Sequence, residues 1–224
     1  MFCIRFALSL RKIILECKYR KYVMDKKRYA DYLAENAAII ENIRDVAYSL
    51  HKSVNQMYDG VLPYGFHLER VAQVVMTIGY EVIEDEVDIL PVIFGAYFHD
   101  SIEDARQTYN DIMKIANKLL GNDQAFIAAE IVYALTNEKG RTREERAGAK
   151  YYEGIRATPY APFVKLCDRL ANMQYSFETG SRMFDIYCKE WEHFKDSITL
   201  CPCPDSRLRL PSAVLTKIDA MMNK

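Results

Sequence analysis

Phe163-Val164-Lys165-Leu166-Cys167-Asp168-Arg169-Leu170-Ala171-Asn172-Met173 reads as one apolar helix with an acid at its centre. Leu166, Leu170 and Met173 recur at three- and four-residue spacing, the period of a buried helical face. Lys165, Asp168 and Asn172 recur on the same period as a polar stripe. A carboxylate placed against such a face is costly to bury unless something compensates its charge. Asp168 therefore calls for a cation, and the search for one leads upstream.

Similar periodicity runs outward through almost the whole chain. It predicts helices over residues 28–51, 67–78, 89–99, 108–120, 163–177, 183–194 and 212–222. Gly121-Asn122 stops one helix, and Asp123 is placed to cap the next, which carries Phe126 to Leu135. Residues 147–156 resume the pattern before Pro159 and Pro162 break it. Asp59-Gly60 and Pro63 mark a loop, residues 136–146 a polar and basic one, and strand signals are absent. The expectation is an all-α helical bundle over residues 29–200. A basic extension at 1–28 and a C-terminal extension at 201–224 add helices at either end.

Composition narrows the class. Half of the 224 residues are hydrophobic and 27% are charged, the balance of a protein with a sizeable core. The net charge of −1 leaves no global footprint for nucleic acid, which is not expected as a partner. Cys3, Cys17, Cys167, Cys188, Cys201 and Cys203 form no Cys-x-x-Cys pair, so a structural zinc site is not expected. Reduced thiols in the cytoplasm are the expected state. Arg5, Arg11 and Lys12 interrupt the apolar N-terminus well short of the roughly 18–20 residues of a membrane span, so membrane association is not expected. Met24 opens a more ordinary helical sequence than the basic stretch before it and is a candidate start.

The upstream partners of Asp168 are His67 and His99-Asp100-Ser101-Ile102-Glu103-Asp104. Neighbouring helical residues point about 100° apart, so His99 and Asp100 share one ion only at a helix end. His67 and Asp168, from two further helices, are suitable completing ligands. Two imidazoles and two carboxylates without sulfur suit Mn²⁺, Fe²⁺ or Zn²⁺ with coordination positions left open. Glu103 follows His99 by four residues and Asp104 follows Asp100 by four, which puts each one turn on if the helix continues. Crowded carboxylates repel one another unless a cation is present. A neighbouring acid can then take or relay a proton from water during attack on phosphorus. Singly each of these residues has a bland reading as core, surface or solvated face. The ordered set does not.

In that set the chain resembles the HD-domain metal-dependent phosphohydrolases, and specifically the hydrolase domain of the RelA/SpoT family and its stand-alone small relatives. Pro63-Tyr64-Gly65-Phe66-His67 with Val71-Ala72 resembles the family's PYxxH…VA, residues 99–104 resemble HDTVED, and residues 164–173 resemble VKLADRLHNM. Ala134-Leu135-Thr136 is similar to its ALT loop, and the likeness covers about residues 45–180. The resemblance implies metal ligation by His67, His99, Asp100 and Asp168, with Glu103 and Asp104 positioning or activating the water. It implies that Asn172 contacts a nucleotide. The activity implied is Mn²⁺-dependent removal of the 3′-pyrophosphate of guanosine tetra- or pentaphosphate, giving GDP or GTP and pyrophosphate. Other HD-type phosphohydrolases, such as nucleoside monophosphate phosphatases, and a non-catalytic nucleotide-binding module are the alternatives. Departures fall on the substrate side: Lys52 is the nearest basic residue where the family often carries Arg before the first His, Ser101 replaces Thr, and Ala171 replaces His. Lys165 on the Asp168 stripe, and Lys139, Arg141 and Arg143 in the basic loop, are further candidates for phosphate contact.

Overall fold

Two helices stand where the periodicity predicts one between Arg28 and His51. The computed structural model describes residues 24–200 and 205–223, and in it α1 (Lys26–Glu35) and α2 (Ala37–Ser53) meet at Asn36. Asn36 leaves helical dihedrals there, at φ −108° and ψ 15°, and its backbone N–H and side chain both donate to the Tyr32 carbonyl, at 3.1 and 2.9 Å. After α2 the expected loop holds a small antiparallel hairpin. Strands β1 (Met57–Tyr58) and β2 (Leu62–Pro63) pair Met57 with Pro63 and Tyr58 with Leu62. Asp59 at φ 51° and Gly60 at φ 72° make the left-handed reversal, which Gly and Asp tolerate best. Two-residue strands carry no readable alternation, so the absence of strand signals misled here.

The remaining elements are helical, and the all-α expectation is met. In order they are α3 (Gly65–Ile78), α4 (Ile89–Phe98), the single turn α5 (Ser101–Asp104), α6 (Tyr109–Leu120) and α7 (Asn122–Leu135). They are followed by α8 (Arg143–Arg146), α9 (Ala149–Ala157), α10 (Ala161–Glu178), α11 (Met183–Ile198) and α12 (Ser212–Met222). Thr108 and Asp111 close a reciprocal capping box at the start of α6. The cap expected from Asp123 is not made. Gly121, at φ 87°, occupies that position, and Asp123 falls in the first turn of α7, where its charge faces the positive helix end.

Helix α4 is the centre of the bundle, with every residue from Ile89 to Phe98 buried. A helix apolar all round is stable only inside others, and α4 packs on α2, α3, α7 and α10. Polar contacts fix the register of its neighbours. Glu69 on α3 accepts from Tyr48 of α2 at 2.8 Å and from Tyr97 of α4 at 3.0 Å. Tyr160 precedes α10 in the left-handed region, φ 65°, and its hydroxyl donates to Asp88, just before α4, at 2.6 Å. These bonds set the helices that carry His67, His99 and Asp168 against one another.

The C-terminal stretch joins the same core. Val214 and Ile218 of α12 are fully buried, and Trp191 of α11 donates to Asp219 at 3.0 Å. The basic segment preceding Met24 and the Cys201-Pro202-Cys203-Pro204 turn lie outside the described residues.

Close packing of α4 on α7 depends on Gly95, where an added Cβ would stand 2.5 Å from Cγ2 of Ile131. That methyl is on a stiff β-branched side chain of a buried helix and has little room to turn away. Gly95→Val should cost on the order of 2–3 kcal/mol of stability through overpacking. Urea unfolding checks this, and an unchanged midpoint would contradict the close approach.

Candidate metal centre

Helix α4 ends at Phe98, and the chain bends so that His99 closes it while Asp100, at φ −100° and ψ 4°, opens α5. This junction lets two adjacent side chains turn to one point. His99 Nε2 lies 2.9 Å from Asp100 Oδ2 and 3.2 Å from His67 Nε2, which enters from the first turns of α3. Asp168 reaches in from the middle of α10, its Oδ1 3.3 Å from His67 Nε2 and 3.8 Å from His99 Nε2. His67, His99 and Asp168 are each buried, and Asp100 is only slightly open.

Three of these separations, 2.9, 3.2 and 3.3 Å, are close to those of donors around one ion, while His99 to Asp168 at 3.8 Å is wider. Atoms held at about 2.1 Å from one small divalent ion stand roughly 3.0–3.4 Å apart. His99 is prepared for such a role, because its Nδ1 donates to the Ala96 carbonyl at 2.8 Å and leaves Nε2 as the free lone pair. His67, His99 and Asp100 form a metal-capable group among the described residues, their ligand atoms all within 4.8 Å of one another.

Electrostatics point the same way. Burial works against a charged His99, but Asp100 and Asp168 outweigh it and hold the imidazole up at about 9. Burial likewise works against both carboxylates. His99 keeps Asp100 below its ordinary range, and Lys165 with the two imidazoles keeps Asp168 well below its own. The pocket thus favours two negative charges and a compensating positive one, which a proton or a metal cation can supply.

Around these donors stand residues that hold them. Tyr64, just after β2, donates to Asp100 Oδ2 at 2.5 Å. Asn172, one turn beyond Asp168, donates to its Oδ1 at 2.6 Å and accepts from the Tyr58 hydroxyl at 2.8 Å. The Tyr58 ring lies flat on His67, centroids 4.9 Å apart at 11°. Lys165 is turned inward onto Asp168 Oδ2 at 3.0 Å, and its side chain is only 19% exposed. Both polar ends of Asn172 and the charge of Lys165 are therefore spent on the site's own framework.

Glu103 and Asp104 lie on the turn that Asp100 opens. Glu103 accepts from the Asn137 side chain at 2.9 Å, which ties α5 to the loop after Thr136. Burial, then Asp100 and Glu103, push the Asp104 carboxyl up to about 6, and Gln56 donates to it at 3.2 Å. Lys52 is exposed, while its buried neighbour His51 stacks on Tyr64 with centroids 4.5 Å apart. Lys139 and Arg141 are exposed in the basic loop, and the Arg143 side chain lies outside the described residues.

No protein-family model matches the chain, and no curated protein matches it. A solved structure shares the fold. It is a metazoan ortholog of SpoT that hydrolyses ppGpp and plays a role in starvation responses. The two chains are 21% identical with a TM-score of 0.56, over 83% of this chain and 94% of the other. The all-α bundle is thus a fold shared with that protein, and a His/Asp cluster able to take a divalent ion lies within it.

Tyr58, Tyr64, Asn137, Gln56 and His51 do not emerge as site residues from the sequence. Tyr64 stands inside the quoted PYxxH-like stretch and Asn137 directly follows Ala134-Leu135-Thr136, so position was a usable signal for both. Tyr58 and His51 carried none.

His51 is 1% exposed, and neither ring nitrogen has a hydrogen-bond partner among the described residues. Burial pushes it down to about 4, so the folded state keeps it neutral. A folded value below the unfolded one gives stability that is present above about 6.5 and lost as pH falls towards 4. That loss is about 2 kcal/mol at pH 5 and about 3 kcal/mol at pH 4. His51→Phe keeps the stack on Tyr64 and removes the titration. The variant should gain on the wild type by these amounts as pH falls from 7 to 4 in urea titrations. A constant difference across that range would show that His51 does not titrate as buried.

Proposed function

We propose that this chain is a divalent-metal-dependent phosphohydrolase that removes the 3′-pyrophosphate of a guanosine 3′,5′-bis(diphosphate)-type nucleotide. The observation that carries the reading is the convergence of His67, His99, Asp100 and Asp168 from separate elements, with Glu103 and Asp104 on the adjoining turn. The shared fold with a ppGpp hydrolase supports the substrate class.

His67, His99, Asp100 and Asp168 would hold the ion, Mn²⁺ in this reading. When bound, such an ion polarises phosphoryl oxygen and lowers the proton affinity of water. The protein's own groups do the rest. Asp104, pushed up to about 6, is poised near neutral pH to accept a proton from water as oxygen attacks phosphorus. The bond from phosphorus to the ribose 3′-oxygen breaks, that oxygen takes a proton, and pyrophosphate leaves intact. Glu103, pinned by Asn137, holds the opposite side of the same turn and fixes the water's approach. Lys139, Arg141 and Arg143 of the basic loop supply the cations for the outer phosphates, a task left to them because Lys165 is engaged with Asp168. Asn172 acts by holding Asp168 rather than by reading the nucleotide.

Incubation with Mn²⁺ and a panel of guanine and adenine nucleotides, with and without 3′-pyrophosphate, tests the reading. Turnover confined to the 3′-pyrophosphorylated members, with pyrophosphate as product, is expected. Orthophosphate from nucleoside monophosphates would assign a different phosphohydrolase, and no turnover of any member would leave a binding protein. Asp168→Ala should lower the rate by more than about 100-fold, since a direct ligand matters more than the outer-layer residues that typically give 10- to 100-fold. Wild-type turnover in that variant would remove Asp168 from the site.

A further inference from the structure

The hairpin ahead of α3 places a tyrosine at each of its ends, and each serves a different carboxylate of the candidate centre. Tyr58, in β1, donates to Asn172, which in turn donates to Asp168; Tyr64, just past β2, donates to Asp100 directly. The same two rings bracket His67, Tyr58 lying flat upon it and Tyr64 meeting it edge-on at 5.6 Å. The Tyr58 and Tyr64 rings also pack edge to face, centroids 6.3 Å apart. Four of the contacts that fix three donors thus come from one eight-residue segment outside the helices that carry them.

We infer that the hairpin is a clamp for the metal ligands, with Tyr58 and Tyr64 as positioning residues that orient Asp168 and Asp100 for the ion. The physical basis is geometric. A carboxylate can rotate about its last bond and present either oxygen, and a fixed donor on one oxygen removes that freedom. Tyr64 fixes Asp100 in a single bond. Tyr58 needs Asn172 as intermediary, and the amide can serve because its nitrogen donates to Asp168 while its oxygen accepts from the phenol. Without the phenol the amide loses the partner that fixes which end faces Asp168. The stack on His67 adds a second restraint that does not depend on the hydroxyl. The inference rests on the metal reading above, and its test separates the two.

Mn²⁺ binding to the whole protein, measured without substrate by loss of the free-ion electron paramagnetic resonance signal, is the readout. Tyr58→Phe and Tyr64→Phe retain both rings and should each weaken Mn²⁺ binding about tenfold, the lower end of what such supporting groups contribute. Val61→Ala, at the exposed tip of the same hairpin, should bind as wild type does. The Tyr58→Phe effect should shrink below about twofold in an Asn172→Ala background, because the hydroxyl acts through that amide. A hydroxyl with a merely structural role would weaken binding equally in both backgrounds, and that result overturns the relay. Wild-type affinity in both Phe variants overturns the clamp while leaving the metal site intact. Absence of saturable Mn²⁺ binding in the wild type overturns the metal reading and the clamp with it.

Discussion

Two carboxylates buried beside two imidazoles impose the constraint on which the rest of this molecule depends. Asp100 and Asp168 are held below their ordinary range inside a pocket that burial alone would neutralise. That arrangement persists only if positive charge stands among them, and without a metal His99 supplies it as an imidazolium. A divalent cation held there would take the place of that proton. The donors come from α3, the α4–α5 junction and α10, so no single element contains the site. Its geometry is therefore a property of how three helices are registered. The tyrosine bonds from α2 and α4 to Glu69, and from Tyr160 to Asp88, are the features that register them.

Why α4 is apolar on all sides follows from the same need. A helix ending in His99-Asp100 must deliver both groups to the middle of the protein, and only a fully enclosed helix does so. Gly95 lets α7 approach closely enough to close one flank. From the end of α7 the chain passes to Asn137, which reaches back to Glu103. Core packing and the placement of a candidate acid are thus parts of one construction, linked through a single helix pair.

The sequence made legible what periodicity and charge can carry. The helices were readable because their apolar faces repeat, and Asp168 stood out because a lone acid on such a face needs an explanation. The His99-Asp100 pair was readable as a site only at a helix end, and the break at Asp100 provides one. What periodicity cannot encode was missed. The hairpin has two residues per strand, too few for alternation, and so Tyr58 looked like loop. Asn36 lies within an unbroken helical pattern, and the division shows only in its backbone, at φ −108° and ψ 15°. Gly121 took the cap that charge and spacing gave to Asp123 because its positive φ turns the chain before the helix begins. Lys165 and Asn172 were visible as a stripe, but a stripe does not say which way its members are spent.

That last point bears on how substrate choice and metal retention are divided in this fold. On the Asp168 helix Lys165 and Asn172 are both turned inward, Lys165 to Asp168, Asn172 to Asp168 and Tyr58. A residue fully engaged in holding a ligand cannot also be free to read a base edge without releasing that ligand. In the proposed function, recognition of the nucleotide would then come from segments that meet the site from outside α10. Segments bonded to site residues include the hairpin, through its tyrosines, and the 137–146 loop, through Asn137. The hairpin is occupied with the carboxylates, whereas the loop offers exposed Lys139 and Arg141 beyond its anchors at Asn137 on Glu103 and Glu138 on Lys150. Under the proposed function, selection among phosphorylated substrates would fall to the loop, and the buried stripe, however conspicuous in the sequence, would serve the ion.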